Sequence, residues 1–148
     1  MSGIIGGAGS KSGVIGETEL DYEEGTFSCY WTDGSNTAGT TTCKYTKIGR
    51  QVTAEMRCSN ATFSGWSNPV KMGGLPFVIN QEGMGSTVLT RNINYSNTLV
   101  TYTTPNTNYL QLWSTVDNGQ YASLNWSNIT GVCDTYTCIT YQTTATGS

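Results

Sequence analysis

Gln51-Val52-Thr53-Ala54-Glu55-Met56-Arg57-Cys58 alternates without a break. Val52, Ala54, Met56 and Cys58 are apolar, and Thr53, Glu55 and Arg57 between them are polar. Side chains of an extended chain point alternately to opposite faces, so this pattern predicts a strand with one buried and one wet face. Just upstream, Thr41 to Lys47 is rich in Thr and Tyr and runs into Ile48-Gly49-Arg50, so the two stretches read as a hairpin. Working outward, Phe27-Ser28-Cys29-Tyr30-Trp31 reads as a strand ended by the turn cluster Asp33-Gly34-Ser35-Asn36. Glu17 to Tyr22 alternates, and Glu23-Glu24-Gly25-Thr26 is expected to interrupt it. Further strands are expected at Pro76–Ile79, Ser86–Ile93, Thr98–Thr103, Tyr109–Val116, Tyr121–Trp126 and Cys138–Thr143, with Asp117-Asn118-Gly119 closing a hairpin. No segment sustains a helical stripe. Eight or nine short strands define an all-β class, an antiparallel β-sandwich or jelly-roll-like head.

Composition narrows the functions open to such a chain. Among its 148 residues, seven Lys+Arg stand against ten Asp+Glu, a formal charge of −3, and histidine is absent. A Ser-His-Asp triad, a Cys-His pair and imidazole metal ligation are therefore excluded. Charged residues make up 11%, so the polar surface must come from Thr, Ser and Asn, which supply about a third of the chain. Seven scattered cations cannot form the basic footprint that phosphate binding needs, so no nucleic-acid partner is expected. No apolar run approaches a membrane span, and the N-terminus lacks the charge and apolar pattern of a signal peptide. Synthesis in the cytoplasm without membrane insertion is the expectation. The Asn-x-Ser/Thr triplets at Asn60, Asn94, Asn125 and Asn128 are expected by chance in a chain of this composition.

The cysteines are Cys29, Cys43, Cys58, Cys133 and Cys138. An odd number leaves one thiol unpaired within the chain, which favours buried reduced thiols over a disulfide framework. Cys43 and Cys58 flank the hairpin, where a cross-strand bridge is the pairing to consider. Without histidine or a Cys-x2-Cys knuckle, no metal site is expected, and nothing indicates a cofactor. The one acidic cluster, Glu17, Glu19, Asp21, Glu23 and Glu24, reads as a solvated strand face rather than a catalytic carboxylate pair. Asp33-Gly34-Ser35-Asn36 reads as a turn rather than a calcium loop. Aromatic rings beside Asn and Thr suit sugar rings, and the loops Gly65-Trp66-Ser67-Asn68 and Asn125-Trp126-Ser127 place such groups where binding residues of sandwiches sit. Trp66, Asn68, Asn125 and Trp126 are therefore the candidate glycan-binding residues, although core packing accounts for most of the rings.

Residues 1–16 differ in composition from the rest. Ser2-Gly3-Ile4-Ile5-Gly6 is echoed as Ser12-Gly13-Val14-Ile15-Gly16, two β-branched pairs bracketed by glycines. They are expected to form an extended Gly-rich arm that attaches to another protein surface through Ile4, Ile5, Val14 and Ile15, ahead of a β-sandwich domain over 17–148.

Glu23-Glu24-Gly25-Thr26, Tyr45-Thr46-Lys47-Ile48-Gly49-Arg50-Gln51-Val52 and Gly74-Leu75-Pro76-Phe77 together resemble a β-rich domain of tailed phages, especially marine ones. That domain forms the outer end of tail-fibre and other virion appendage proteins, and the leader over residues 2–16 is similar to the start of such proteins. Phe27 stands where the family often has Trp, followed by Ser-Cys rather than Thr-Pro. The resemblance implies a non-enzymatic virion structural protein on the particle exterior, a short decoration, knob or fibre-type appendage. It implies a homotrimer in contact with other head or tail proteins. The alternative is a carbohydrate-binding module contacting a host surface glycan. In plain physical terms the motifs are folding residues. Tyr45 and Ile48 are expected as inward anchors, and Gly73-Gly74 as a sharp bend that drops Leu75, Phe77 and Ile79 onto the core.

Overall fold

A computed structural model describes residues 21–67 and 69–144. The expected anchoring residues Ile4, Ile5, Val14 and Ile15, the start of the alternating run at Glu17 to Leu20, and Asn68 lie outside the described residues. The alternating run at 51–58 is the middle of strand β3 (Gln51–Ala61). Val52, Ala54, Met56 and Cys58 face the interior, as the pattern predicts. It pairs with β2 (Thr37–Ile48) through the two-residue turn Gly49-Arg50, Gly49 taking the left-handed conformation at φ 60°. β1 (Tyr22–Thr32) pairs with the other side of β2.

The remaining strands are β4 (Lys71–Gly73), β5 (Gly83–Thr87), β6 (Leu89–Ile93), β7 (Thr98–Thr103), β8 (Tyr109–Thr115), β9 (Ala122–Ser123) and β10 (Ile129–Gln142). A 3-10 turn, Trp126–Asn128, precedes β10. All strand pairs are antiparallel, in the order β5-β7-β8-β4-β1-β2-β3-β10-β6, with β9 added beside β8. The two ends of this path, β5 and β6, are consecutive in the chain and separated by Val88 alone. Thr137 on β10 donates its hydroxyl to the Thr87 carbonyl at 3.0 Å and contacts the Ser86 hydroxyl at 2.5 Å. The sheet thus curls into a nearly closed antiparallel barrel, and few strand edges are left bare.

Several expected elements differ in extent. Glu23 to Thr26 continues β1 instead of breaking it, because each residue pairs with one on β2 and Gly25 leaves room for the Tyr45 ring opposite. A Cβ on Gly25 would stand 2.9 Å from that ring. Ser86–Ile93 is two strands, and Tyr121–Trp126 shortens to β9 followed by the 3-10 turn. Pro76–Ile79 is not a strand. Its backbone is tied to the 106–108 loop and to the end of β10 instead, with Leu75 N donating to Asn108 O, Ile79 N to Thr107 O and Asn80 N to Gln142 O. Leu75 and Ile79 are buried as expected, whereas Phe77 is only half-buried. Ile48, expected inward, also lies outside. The β2 alternation that places Cys43, Tyr45 and Lys47 inward turns Ile48 outward, where it is 45% exposed. Lys47, which no hydrophobic pattern marks, is fully buried.

Gly74 makes the bend expected of it at φ 96°, and a Cβ there would meet the Ser28 carbonyl oxygen of β1 at 1.8 Å. A side chain at this position must both strain the backbone and force β1 away. Gly74→Ala is expected to destabilise the domain by about 3 kcal/mol or more, measured by chemical denaturation.

The cysteines sit as thiols, four buried and Cys138 exposed. The closest pair joins β1 to β3: Cys29 Sγ and Cys58 Sγ are 3.2 Å apart. Cys43, the hairpin cysteine singled out by the sequence, lodges its sulfur against the Arg57 backbone and accepts the Arg57 N–H at 3.3 Å. Its thiol pKa is raised, by the Cys29 thiol beside it and then by burial. Burial pushes Cys133 up to about 12, despite the nearby Trp31 indole. In the native protein Cys138 alone is expected to react promptly with a thiol reagent, and the other four only after unfolding. Stoichiometry by mass spectrometry with and without denaturant checks this.

Candidate functional site

Three expected residues come from loops about sixty positions apart. The link between them starts at Asp33, just beyond β1. Its carboxylate accepts backbone N–H bonds from Ser35 at 2.8 Å and Asn36 at 2.7 Å, and the Asn36 side-chain amide at 2.9 Å. It then reaches across to accept the Ser67 N–H at 3.0 Å. The sequence marked this cluster as a turn; its second role, pinning the loop that carries Trp66, depends on tertiary structure. These bonds, the Asn36 backbone N–H first and the Ser67 N–H second, hold the Asp33 carboxyl well below the ordinary carboxylate range. A carboxylate so fully occupied has no coordination left for a cation.

Trp66 meets Trp126 with ring centroids 4.7 Å apart, and Phe63 packs against both at 4.9 and 4.3 Å. Beneath them, fully buried Trp31 presents an edge to Phe63 at 5.9 Å and to Trp126 at 5.8 Å. The four rings form one stack running from the barrel interior to its end. Such edge-on contacts suit the aromatic quadrupole. Trp126 is nearly all inside, so it supports the stack; Phe63 and Trp66 are half-buried and carry its outer surface. The hollow lined by Phe63, Gly65, Trp66, Trp126, Ser127 and Ile129 measures about 360 Å³.

On the other side of the 3-10 turn lies a polar hollow of about 260 Å³, lined by Asn94, Tyr95, Ser96, Ser114, Asn125 and Asn128 among others. The turn is rigidly held. Asn128 Oδ1 accepts the Asn125 N–H at 2.8 Å, and the Asn128 carbonyl accepts the Asn94 N–H at 2.8 Å. Leu124 is tied on both sides, donating to Leu112 O and accepting from Val70 N, each at 2.8 Å. Asn125 is exposed and faces the polar hollow rather than the aromatic one. Sequence reasoning missed Phe63 and the Asn94-Tyr95-Ser96 segment. The Asn-rich run Asn92 to Asn97 was the available signal, since Asn92 and Asn97 take left-handed conformations at φ 60° and 53°.

Two larger grooves lie on the outer wall of β1, β2, β3 and β10. One is lined by Glu24, Thr26, Lys44, Thr46, Thr53 and Glu55 among others; the second shares Lys44 and Glu55 and adds Arg57 and Tyr136. Glu24 and Glu55 are two strands apart, roughly 10 Å by backbone spacing, with β2 between them. Their surroundings are a solvated threonine wall, in which Thr53 and Thr140 bond through their hydroxyls at 2.9 Å. Among the described residues, no three His, Cys, Asp or Glu side chains gather where they could hold a metal ion, and no helix is long and apolar enough to cross a membrane.

No family model matches the chain, and no curated protein or solved structure is significantly similar to it. Its reading therefore rests on its own residues.

Asp33→Ala is expected to free the Trp66 loop, shifting tryptophan fluorescence to the red with little change in melting temperature. Because the folded carboxyl pKa is depressed, the contribution of Asp33 is fully present above the unfolded value of about 3.9. It is lost as pH falls through the lower folded value. The wild-type fluorescence shift should accordingly appear only in acid below about pH 4, and Asp33→Ala should show it at neutral pH.

Proposed function

We propose that this chain is a non-enzymatic structural domain displayed on the exterior of a tailed-phage particle, and that its loop end contacts a host surface glycan. The observation that carries the glycan part is the pairing of surfaces across one rigid turn. Phe63 and Trp66 offer apolar ring faces to the C–H side of a sugar, and Asn94, Tyr95, Asn125 and Asn128 offer amide and hydroxyl groups to its hydroxyls. The polar groups lie on a turn fixed by hydrogen bonds, and the Trp66 loop is pinned by Asp33 through the Ser67 N–H, so little ordering entropy is lost on binding. The virion part rests on the resemblance of residues 23–26, 45–52 and 74–77, whose side chains pack on one another. Gly25 pairs with Tyr45, and the Tyr45 and Phe77 rings meet edge-on at 5.4 Å. Attachment through residues 1–16 and a homotrimeric state belong to the same proposal.

A glycan array probed with the purified chain tests the binding reading. Binding is expected, and Trp66→Ala should reduce it at least tenfold while the melting temperature moves by no more than a few degrees. A wild-type chain that binds no glycan overturns this reading. Imaging of purified virions with antibody label tests the location. Deletion of residues 1–16 should leave the barrel folded and abolish incorporation.

A further inference from the structure

Near the C-terminal end of β2, Lys47 is fully buried, and among the described residues no other charged side chain is. Its Nζ lies 2.7 Å from Asp21 Oδ2 and 5.6 Å from the centre of the Phe77 ring. Glu23 stands directly opposite Lys47 across the β1–β2 ladder, so the two side chains leave the sheet on the same face. Tyr45 donates its hydroxyl to Glu23 Oε1 at 2.5 Å and fixes that carboxylate on the same face of the ladder. The backbone is pinned as well, since the Gly49 N–H donates to the Asp21 carbonyl at 2.7 Å. An amine and a carboxyl carbon are thus held in contact under an aromatic cover, with a second carboxyl group on the same face of the ladder.

We propose that Lys47 and Asp21 are a site of self-modification and become joined by an intramolecular isopeptide bond. Within the pair, a proton passes from the Lys47 ammonium to the Asp21 carboxylate, leaving a neutral amine and a carboxylic acid. The lone pair of Nζ attacks Asp21 Cγ, forming the N–C bond. Glu23 takes the proton released by nitrogen and returns it to the departing hydroxyl. The C–O bond breaks and one water leaves, so an ammonium and a carboxylate become an amide plus water, with no oxidant or cofactor required. Two physical terms favour the product. Holding the reacting groups in contact replaces a bimolecular encounter by effective molarities of about 10⁵–10⁸ M. Burial penalises the charged pair and not the neutral amide. The Asp21 side chain is 35% exposed, which gives the expelled water a way out. The bond would staple the start of β1 to the end of β2, next to the segment that leads to residues 1–16.

Tryptic mapping of the purified, full-length wild-type chain decides the matter. The expected result is an intact mass one water below that of the sequence, no cleavage after Lys47, and a branched species joining residues 12–44 to residues 45–50. Complete cleavage after Lys47 with separate linear peptides overturns the proposal. So does a dehydrated but linear peptide 12–44, the product of ring closure at Asp33-Gly34. Lys47→Arg, which keeps the charge, should lose the branched species. Glu23→Gln should slow its appearance at least tenfold after denaturation and refolding of freshly made protein, and an unchanged rate overturns the proton-carrying role of Glu23.

Discussion

Closure of the sheet on itself is the constraint from which the rest of this structure follows. Residues 83–93 serve both ends of it: β5 pairs with β7, and, one residue on, β6 pairs with β10. Without the break at Val88 and the Thr137 hydroxyl bridging to Thr87, the ladder would end in two long bare edges. A sheet in that state exposes unpaired backbone groups that invite other strands. Closed, it has an inside, and the period-2 alternation of every strand then sorts side chains into core and surface without further instruction.

That inside is unusual in what it holds. Cys29, Cys43 and Cys58 come from three successive strands of the sheet and fill space as small hydrophobes, their sulfurs touching rather than bonded. At the far end the interior takes Lys47, made tolerable by Asp21 and by the Phe77 ring. A chain with 11% charged residues carries few ions to place. Burying one beside a carboxylate is a specific commitment, since Lys47 without Asp21 would leave a buried charge unpaired.

The two barrel ends divide the work. One gathers the three motif segments into a packed cap of Gly25, Tyr45, Lys47 and Phe77. The other carries the aromatic stack from Trp31 outward, with Asp33 holding the Trp66 loop and the 3-10 turn holding Trp126. A rigid scaffold with adaptable groups at its loop end is the arrangement that recognition surfaces commonly take. The separation also means that changes at Trp66 can be made with little consequence for the cap.

The all-β class, the β2–β3 hairpin and the inward set Val52, Ala54, Met56 and Cys58 were legible in the sequence, because alternation and turn residues act over a few neighbours. So were the Gly74 bend and the choice of Trp66, Asn125 and Trp126 as loop residues. Tertiary structure alone decided what those residues meet. Glu23–Thr26 stayed extended because β2 supplied hydrogen-bond partners that outweigh the turn character of the segment. Pro76–Ile79 lost its strand because its backbone is tied mainly to the 106–108 loop, and Phe77 packs half-buried at the edge of the core over Lys47. Ile48 turned outward and Lys47 inward because register, which is set by the partner strand, outranks hydrophobicity at a strand end. Trp66 and Trp126 came into contact, and Asn125 faced the other side of the turn, because Asp33 pins one loop and the 3-10 turn holds the other. A local pattern fixes which face a side chain takes on its own strand, but what stands opposite that face depends on how distant strands close the barrel.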